Sequence, residues 1–234
     1  MLAGARAGVV ELSQPLGPDT VLWPGSDVFA TETVGEIAVD GWFGRVFRTP
    51  EHAGTHMDAP AHFARDGRTV DSFTAAELVV EAAVIDARQA CERDPGHAVG
   101  VAEIEGFEAA NGRLPEDGAV LVCTGWDRHR DDAERLLGGS GDGELRFPGL
   151  DPEAASLIVE RGVAGIGIDT LSVDAGAASG FPVHHRTLPA GLWHLEGLVN
   201  LDRLPPRGAT IVIGAVPLQG GSGAPARVLA LVPV

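Results

Sequence analysis

The chain has no lysine. Its 17 basic residues, all arginine, face 33 acidic ones, giving a formal net charge of −16 over 234 residues. That balance repels phosphate backbones and anionic bilayers, so neither nucleic acid nor a membrane surface is expected as a partner. Cysteine is almost missing too. Cys91 and Cys123 form no C-x-x-C pair and are too few for a disulfide framework, so both are expected as free buried thiols. No uninterrupted apolar run approaches a bilayer span, and no basic amino-terminal region leads into an apolar core and cleavage site, which sets a soluble cytoplasmic protein as the expectation. Internal repeats of solenoid or propeller period are absent. So is the H-E-x-x-H metal motif, and no serine has a complete G-x-S-x-G elbow; Ser222 comes nearest, with Ala224 in place of the last glycine.

What remains is enough chain for a substantial core in one domain spanning 1–234. Alternation and β-branched content predict strands at 8–12, 44–48, 79–87, 119–123, 165–168, 192–195, 210–215 and 227–232. Several are nearly continuous apolar runs, the mark of strands buried on both faces under covering helices. Thr74 followed by Glu77 has capping-box spacing, and Asp151-Pro152 opens an alanine-rich amphipathic run that stops at Gly162. Further helices are expected at 101–110 and 127–137. Segments 138–143 and 218–225 read as loops, too short for domain linkers. The expected class is α/β, with a mixed sheet flanked by helices.

Against this background one segment stands out. His52-Ala-Gly-Thr-His56-Met-Asp58-Ala-Pro-Ala-His62 gathers three of the eight histidines and a carboxylate within eleven residues. A divalent transition metal needs imidazoles and carboxylates converging at about 2.0 to 2.2 Å. A helix would set Asp58 nearly opposite His56, and Gly54 and Pro60 disfavour one. An extended segment points 52, 54, 56, 58, 60 and 62 the same way, yet leaves the Cα atoms of His52 and His56 roughly 13 Å apart. Gly54 resolves the distance if it supplies a bulge or a positive-φ bend.

One segment cannot complete such a centre alone, and the natural further donors are His184-His185 and Glu196. If that region is extended, only one of His184 and His185 reaches the same ion; His194 shares strand parity with Glu196 and is a reserve ligand. His97 and His129 stand in polar, loop-like surroundings and read as surface residues.

The segment 52–62 resembles the H-x-G-T-H-x-D-x-P-x-H signature of the cyclase-like metal hydrolases, a family that includes bacterial kynurenine formamidases and isatin hydrolases. The likeness extends through Trp23-Pro24-Gly25, Thr124-Gly125-Trp126, the run from Gly167 to Asp174, and His184 twelve residues before Glu196-Gly197-Leu198, so it spans almost the whole chain. It implies a single domain of the swivelling β/β/α type with a partly barrel-like sheet. It further implies that His52, His56 and Asp58 hold one ion, that Asp58 and Glu196 are shared with a second held also by His184, that His62 is the proton donor and acceptor, and that Trp23 contacts substrate. Zn²⁺ or Mn²⁺, as one or two ions, and a homodimer or higher homo-oligomer follow from the same comparison.

The expected reaction is hydrolysis of an amide-type C–N bond of a small aromatic substrate by metal-bound hydroxide, as in an arylformamidase. A cyclic amide or lactone is the alternative within the family, and a non-catalytic metal- or ligand-binding protein the alternative outside it. Trp23, Phe29, Trp42, Phe43 and Trp126 are candidates for an aromatic pocket, although aromatics make up only 5% of the chain.

Overall fold

The stretch 119–123, apolar at every position, lies in the middle of a mixed sheet, where burial on both faces requires such a sequence. In the computed structural model, which describes residues 7–139 and 144–233, the strands are β1 (Ala7–Glu11), β2 (Ala30–Gly35), β3 (Gly44–Arg48), β4 (His56–Asp58), β5 (Val79–Asp86), β6 (Ala98–Val99), β7 (Ala119–Cys123), β8 (Gly149–Leu150), β9 (Gly165–Ile168), β10 (Trp193–Glu196), β11 (Ala209–Ala215) and β12 (Gly223–Pro233). The helices are α1 (Ile37–Asp40), α2 (Arg88–Arg93), α3 (Val101–Asn111), α4 (Ala133–Leu136), α5 (Pro152–Glu160) and α6 (Pro182–Thr187). The main sheet runs β12-β11-β5-β7-β9-β10-β4, and β4 pairs back onto β12. Seven strands therefore close into a barrel, with β1 added along β12. The pairs from β5 to β10 are parallel and the rest antiparallel, as expected of a mixed, barrel-like sheet.

Alternation along each strand sorts side chains between two cores. Val80, Ala82, Val84, Leu121, Trp193 and Leu195 fill the barrel interior. Ala83, Ile85, Val120, Val122, Ile166 and Ile168 pack on the outer face with Ile104 and Phe107 of α3 and Ala154, Ala155 and Ile158 of α5. Burying one such aliphatic side chain stabilises by roughly 1.5 to 3 kcal/mol, so the two layers supply most of what holds the barrel. Gly165 has to be glycine because the Trp193 ring crosses it: a Cβ there would sit 2.1 Å from the ring.

The same alternation positions the site. Met57, Trp193 and Leu195 face inward, so their neighbours His56, Asp58, His194 and Glu196 face outward. β4 and β10 are antiparallel with Glu196 opposite His56 and His194 opposite Asp58. Four chemistry-bearing residues thus form a square on two adjacent strands.

Several expectations are corrected. Thr74 and Glu77 make the capping-box contacts, with the Thr74 N–H and hydroxyl donating to Glu77 Oε2, but only a turn follows because the chain enters β5 at Val79. The helix expected at 127–137 divides into a 3-10 turn at Trp126–His129 and the short α4, whose N-cap Asp132 accepts from the Arg135 N–H. The segment 218–225 is a loop only as far as 222, since β12 begins at Gly223. Residues 140–143 of the glycine-rich segment lie outside the described residues. Cys91 and Cys123 are free and buried, and burial pushes the Cys91 thiol up to about 12.

Candidate metal centre

Gly54 adopts φ +60°, the positive-φ bend that the spacing of His52 and His56 called for. It ends the extended register, however. Only β4 is a strand, and Pro60–His62 is a 3-10 turn begun by Pro60, so the uniform alternation expected from 52 to 62 holds only around Asp58. The result still converges. His52 Nδ1 lies 2.7 Å from Asp58 Oδ1, and His56 Nε2 lies 3.2 Å from Asp58 Oδ1 and 3.4 Å from Glu196 Oε2.

His184 arrives from a helix rather than the extended segment expected. Pro182 occupies the first turn of α6, and Phe181 before it takes φ +53°, a strained conformation costing of order 1–3 kcal/mol for a residue with a side chain. Successive helical residues lie about 100° apart, so His184 is buried while His185 faces solvent. One of the pair reaches the site, as expected, but through helical geometry. His184 Nε2 sits 3.3 Å from Asp58 Oδ2 and 3.4 Å from Glu196 Oε1.

Each carboxylate therefore divides its oxygens. Asp58 turns Oδ1 toward His52 and His56 and Oδ2 toward His184, while Glu196 turns Oε2 toward His56 and Oε1 toward His184. Surrounding groups orient the rings. His56 Nδ1 donates to the Gly54 carbonyl at 3.0 Å, leaving Nε2 for the carboxylates. Asp174 holds His184 Nδ1 at 2.6 Å and also accepts from the Val183 N–H. His52 Nε2 meets Ser222 Oγ at 2.9 Å, and that hydroxyl donates to Glu51. Such outer partners fix which nitrogen faces an ion.

The electrostatics fit a cation. Burial alone lowers the His56 pKa, but Asp58 and Glu196 outweigh it and lift it to about 10. Burial likewise works against His184, whose bonds to Asp174, Asp58 and Glu196 still raise it well above the ordinary value. Glu196 is held at about 2 by His184 and His56 against burial and the Asp58 charge. Without an ion the carboxylates hold protons on His56 and His184. Among the described residues three buried side-chain polar atoms lack a hydrogen-bond partner, and two of them belong here: Asp58 Oδ2 and His194 Nδ1, 3.6 Å apart. Orphaned lone pairs on ligand-type atoms are what a metal would satisfy. Two donor sets fit it: Asp58, His184, His194 and Glu196, and His52, His56 and Asp58. The residues present suit a divalent ion.

His62 stands apart from both sets. Its ring stacks on His52 at 3.9 Å between centroids and lines a cavity of about 300 Å³ together with His52, His56, His184 and Glu196. Loss of solvent around the ring lowers its pKa to about 4, against the raising pull of Asp58. The imidazole is neutral at pH 7. Trp23 lines the same cavity, 5.5 Å from Phe181, and Phe63 lies 5.7 Å from Phe181 and 4.7 Å from His184.

His52, His56, His62, His184, Glu196 and Trp23 line one cleft, Asp58 is buried against its histidines, and His185 is left outside. The wider set of aromatics does not line it: Trp126 is buried beneath α4 with its Nε1–H on the Leu136 carbonyl, Trp42 and Phe43 are exposed on the β2–β3 hairpin, and Phe29 stacks on Phe47. The aromatics that do wall the cavity with Trp23 are Phe63, directly after His62, and Phe181, before the short helix. Asp174 and Thr187 were also missed as partners of the site histidines, Asp174 lying in a recognised motif without an assigned role. Asp169 of that motif is structural. It accepts from the Thr124 and Gly125 N–H groups and ties the end of β7 to β9, and burial raises its pKa to about 6.

A family profile described as "Putative cyclase" matches residues 10–175. An isatin hydrolase of Roseibium aggregatum is 30% identical over 99% of this chain and 94% of its own length. A kynurenine formamidase of Salinibacter ruber is 27% identical, covering 94% of this chain and 95% of its own. Among solved structures, isatin hydrolase A from Ralstonia solanacearum superposes with a TM-score of 0.91 at 35% identity, over 97% of this chain and 92% of that one.

Proposed function

The chain belongs to the putative cyclase family, and from that premise we propose that it is a metal-dependent hydrolase opening an amide-type C–N bond of a small aromatic substrate. The observation carrying this is the buried pair Asp58 and Glu196, each turning one oxygen to His56 and the other toward His184, at the base of an aromatic-walled cavity. The two donor sets, His52, His56 and Asp58 on one side and Asp58, His184, His194 and Glu196 on the other, would hold one or two divalent ions, and their mixed His and carboxylate donors suit Zn²⁺ or Mn²⁺.

A bound ion of this kind lowers the pKa of water from about 15.7 to about 7, roughly 12 kcal/mol of proton free energy, and polarises a carbonyl. The protein supplies the rest. Trp23, Phe63 and Phe181 bind the flat face of the substrate and keep bulk water out. His62, neutral and in the cavity wall, takes the proton from the attacking water and returns it to the leaving nitrogen, a contribution of about 10²- to 10⁴-fold.

An aryl formamide is the first substrate choice. A cyclic amide such as isatin is the second, favoured by the full-length match to isatin hydrolase. Purified protein loaded with Zn²⁺ or Mn²⁺ and offered N-formylkynurenine, isatin and simple lactones tests both. Faster turnover of the formamide supports the first choice and faster turnover of isatin the second, while full metal occupancy with no turnover of any refutes the proposal.

The assembly proposed is a homodimer or higher homo-oligomer. Support comes from Ile37, Val39, Trp42, Phe43, Val46 and Phe47, each exposed on the β2–β3 hairpin and its α1 connection, more apolar surface than a protruding hairpin needs if it stands alone in solvent. Light scattering that finds only the monomer mass would refute it. Among the described residues no helix is long and apolar enough to cross a membrane. The two free thiols support a reducing compartment, and the cytoplasm is proposed on that ground.

A further inference from the structure

His194 is fully buried, sits directly across from Asp58 on the neighbouring strand, and takes no part in lining the cavity. Its Nε2 lies 2.7 Å from Thr187 Oγ1, while that hydroxyl donates its single proton to the Val183 carbonyl at 2.7 Å. A hydroxyl with its proton committed can only accept. His194 therefore donates from Nε2–H, and the neutral ring carries its lone pair on Nδ1. That atom lies 3.6 Å from Asp58 Oδ2, beyond hydrogen-bond reach; neither atom makes a hydrogen bond, and Asp58 Oδ2 has only its ion pair with His184 Nε2 at 3.3 Å. Two buried acceptor atoms this close, neither of them hydrogen-bonded, are a pair that a shared cation would satisfy.

Three of the donor distances match tetrahedral spacing. With bonds of about 2.1 Å, two ligands of a tetrahedral ion lie about 3.4 Å apart. Here His184 Nε2 to Asp58 Oδ2 is 3.3 Å, His184 Nε2 to Glu196 Oε1 is 3.4 Å, and His194 Nδ1 to Asp58 Oδ2 is 3.6 Å. The four donor atoms all lie within 4.8 Å of one another.

We propose that His194 is the fourth protein ligand of an inner ion, closing a tetrahedral set with Asp58, His184 and Glu196. A set of four protein ligands leaves no open position, as in structural sites. The inner ion then acts as a fixed brace for the shared carboxylates. Exchange with solvent and substrate is then confined to the outer set of His52, His56 and Asp58: His184 and Glu196 also line the cavity, but His194, fully buried and outside that lining, fills the position that would otherwise be open. This asymmetry rests on the metal-centre reading above, and it makes one ion slow to leave and the other quick.

Metal content and its resistance to chelation test it without recourse to activity. Wild-type protein loaded with Zn²⁺, or with Co²⁺ as a spectroscopic probe, is expected to hold two ions per chain. One should survive brief chelation with the absorption of a tetrahedral centre. His194→Gln removes the donor at Nδ1 and should hold one ion, lost at the quick rate. If His194→Gln melts like wild type and keeps both ions with unchanged resistance, the proposal is overturned while the metal centre stands. A wild type with a single ion that the substitution leaves untouched also overturns it. Wild-type protein that binds no divalent ion defeats both readings. Should His194→Gln not fold, Thr187→Val removes the hydroxyl at similar volume. At least tenfold faster loss of the slow ion supports the assignment, and an unchanged rate overturns it.

Discussion

Metal uptake should displace protons, and by an amount that the site's geometry sets. In the ion-free protein Asp58 and Glu196 hold a proton on His56 with a pKa of about 10, and His184 is raised in the same direction. A metal takes neutral imidazole, so that proton must leave first. At pH 7 the proton on His56 weakens apparent metal affinity by about a thousandfold, or about 4 kcal/mol, relative to the deprotonated site. Affinity should then rise about tenfold per pH unit for each proton released. Calorimetric titration of Zn²⁺ into the metal-free protein at pH 7, in buffers of differing ionisation enthalpy, should show about one proton released per ion. Competition with a chelator of known affinity at pH 6, 7 and 8 should give the slope. Zero proton release together with affinity flat across that range would refute the reasoning. The stability of the metal-free fold runs the opposite way with pH: with its pKa raised, His56 stabilises that fold below about 6.5, and the contribution is lost as the pH climbs through about 10.

Three further outcomes are expected. His62→Ala should bind metal like wild type but lose about 10²- to 10⁴-fold in kcat, since its ring lies outside both donor sets; equal turnover would remove His62 from the mechanism. Asp174→Asn removes the charge beside His184 Nδ1 and replaces one of the two acceptor oxygens by NH2 at almost unchanged volume, so metal affinity should fall about 10- to 100-fold in a competition assay, and unchanged affinity would make Asp174 a purely structural cap of α6. Gly165→Ala forces a Cβ into the Trp193 ring and should lower stability by about 1 to 3 kcal/mol in urea unfolding, with no loss counting against the packing described for the barrel interior.

The barrel was legible where local sequence and tertiary environment agree. The strand at 119–123 reads as doubly buried and is; Asp151 caps α5 with Pro152 at its first position; and Gly54 bends where the ligand spacing needs it. What escaped was too short or too contingent to leave a period. Six residues of α6 cannot display a 3.6-residue repeat, so His184 read as extended although its burial against Asp58 depends on that helix. The three residues of β4 gain their strand geometry from β10 and β12 on either side, not from propensity. Thr74 and Glu77 form their box and still start no helix, because pairing of the following residues with β11 wins. The ligands themselves were legible because their chemistry is rare in so short a span. Their orienting partners, Asp174, Thr187 and Ser222, were not, since ordinary polar residues acquire that role only by proximity in the fold.

The central claim is that the His and carboxylate cluster of β4, α6 and β10 binds the metal on which hydrolysis depends. Bound transition metal per chain, measured in wild-type and His56→Ala protein purified side by side and assayed on the same amide substrate, tests it most directly. His56 contacts both shared carboxylates and is buried with them, so the variant is expected to lose metal and nearly all turnover. Unchanged metal content and rate in a folded His56→Ala protein would contradict the account.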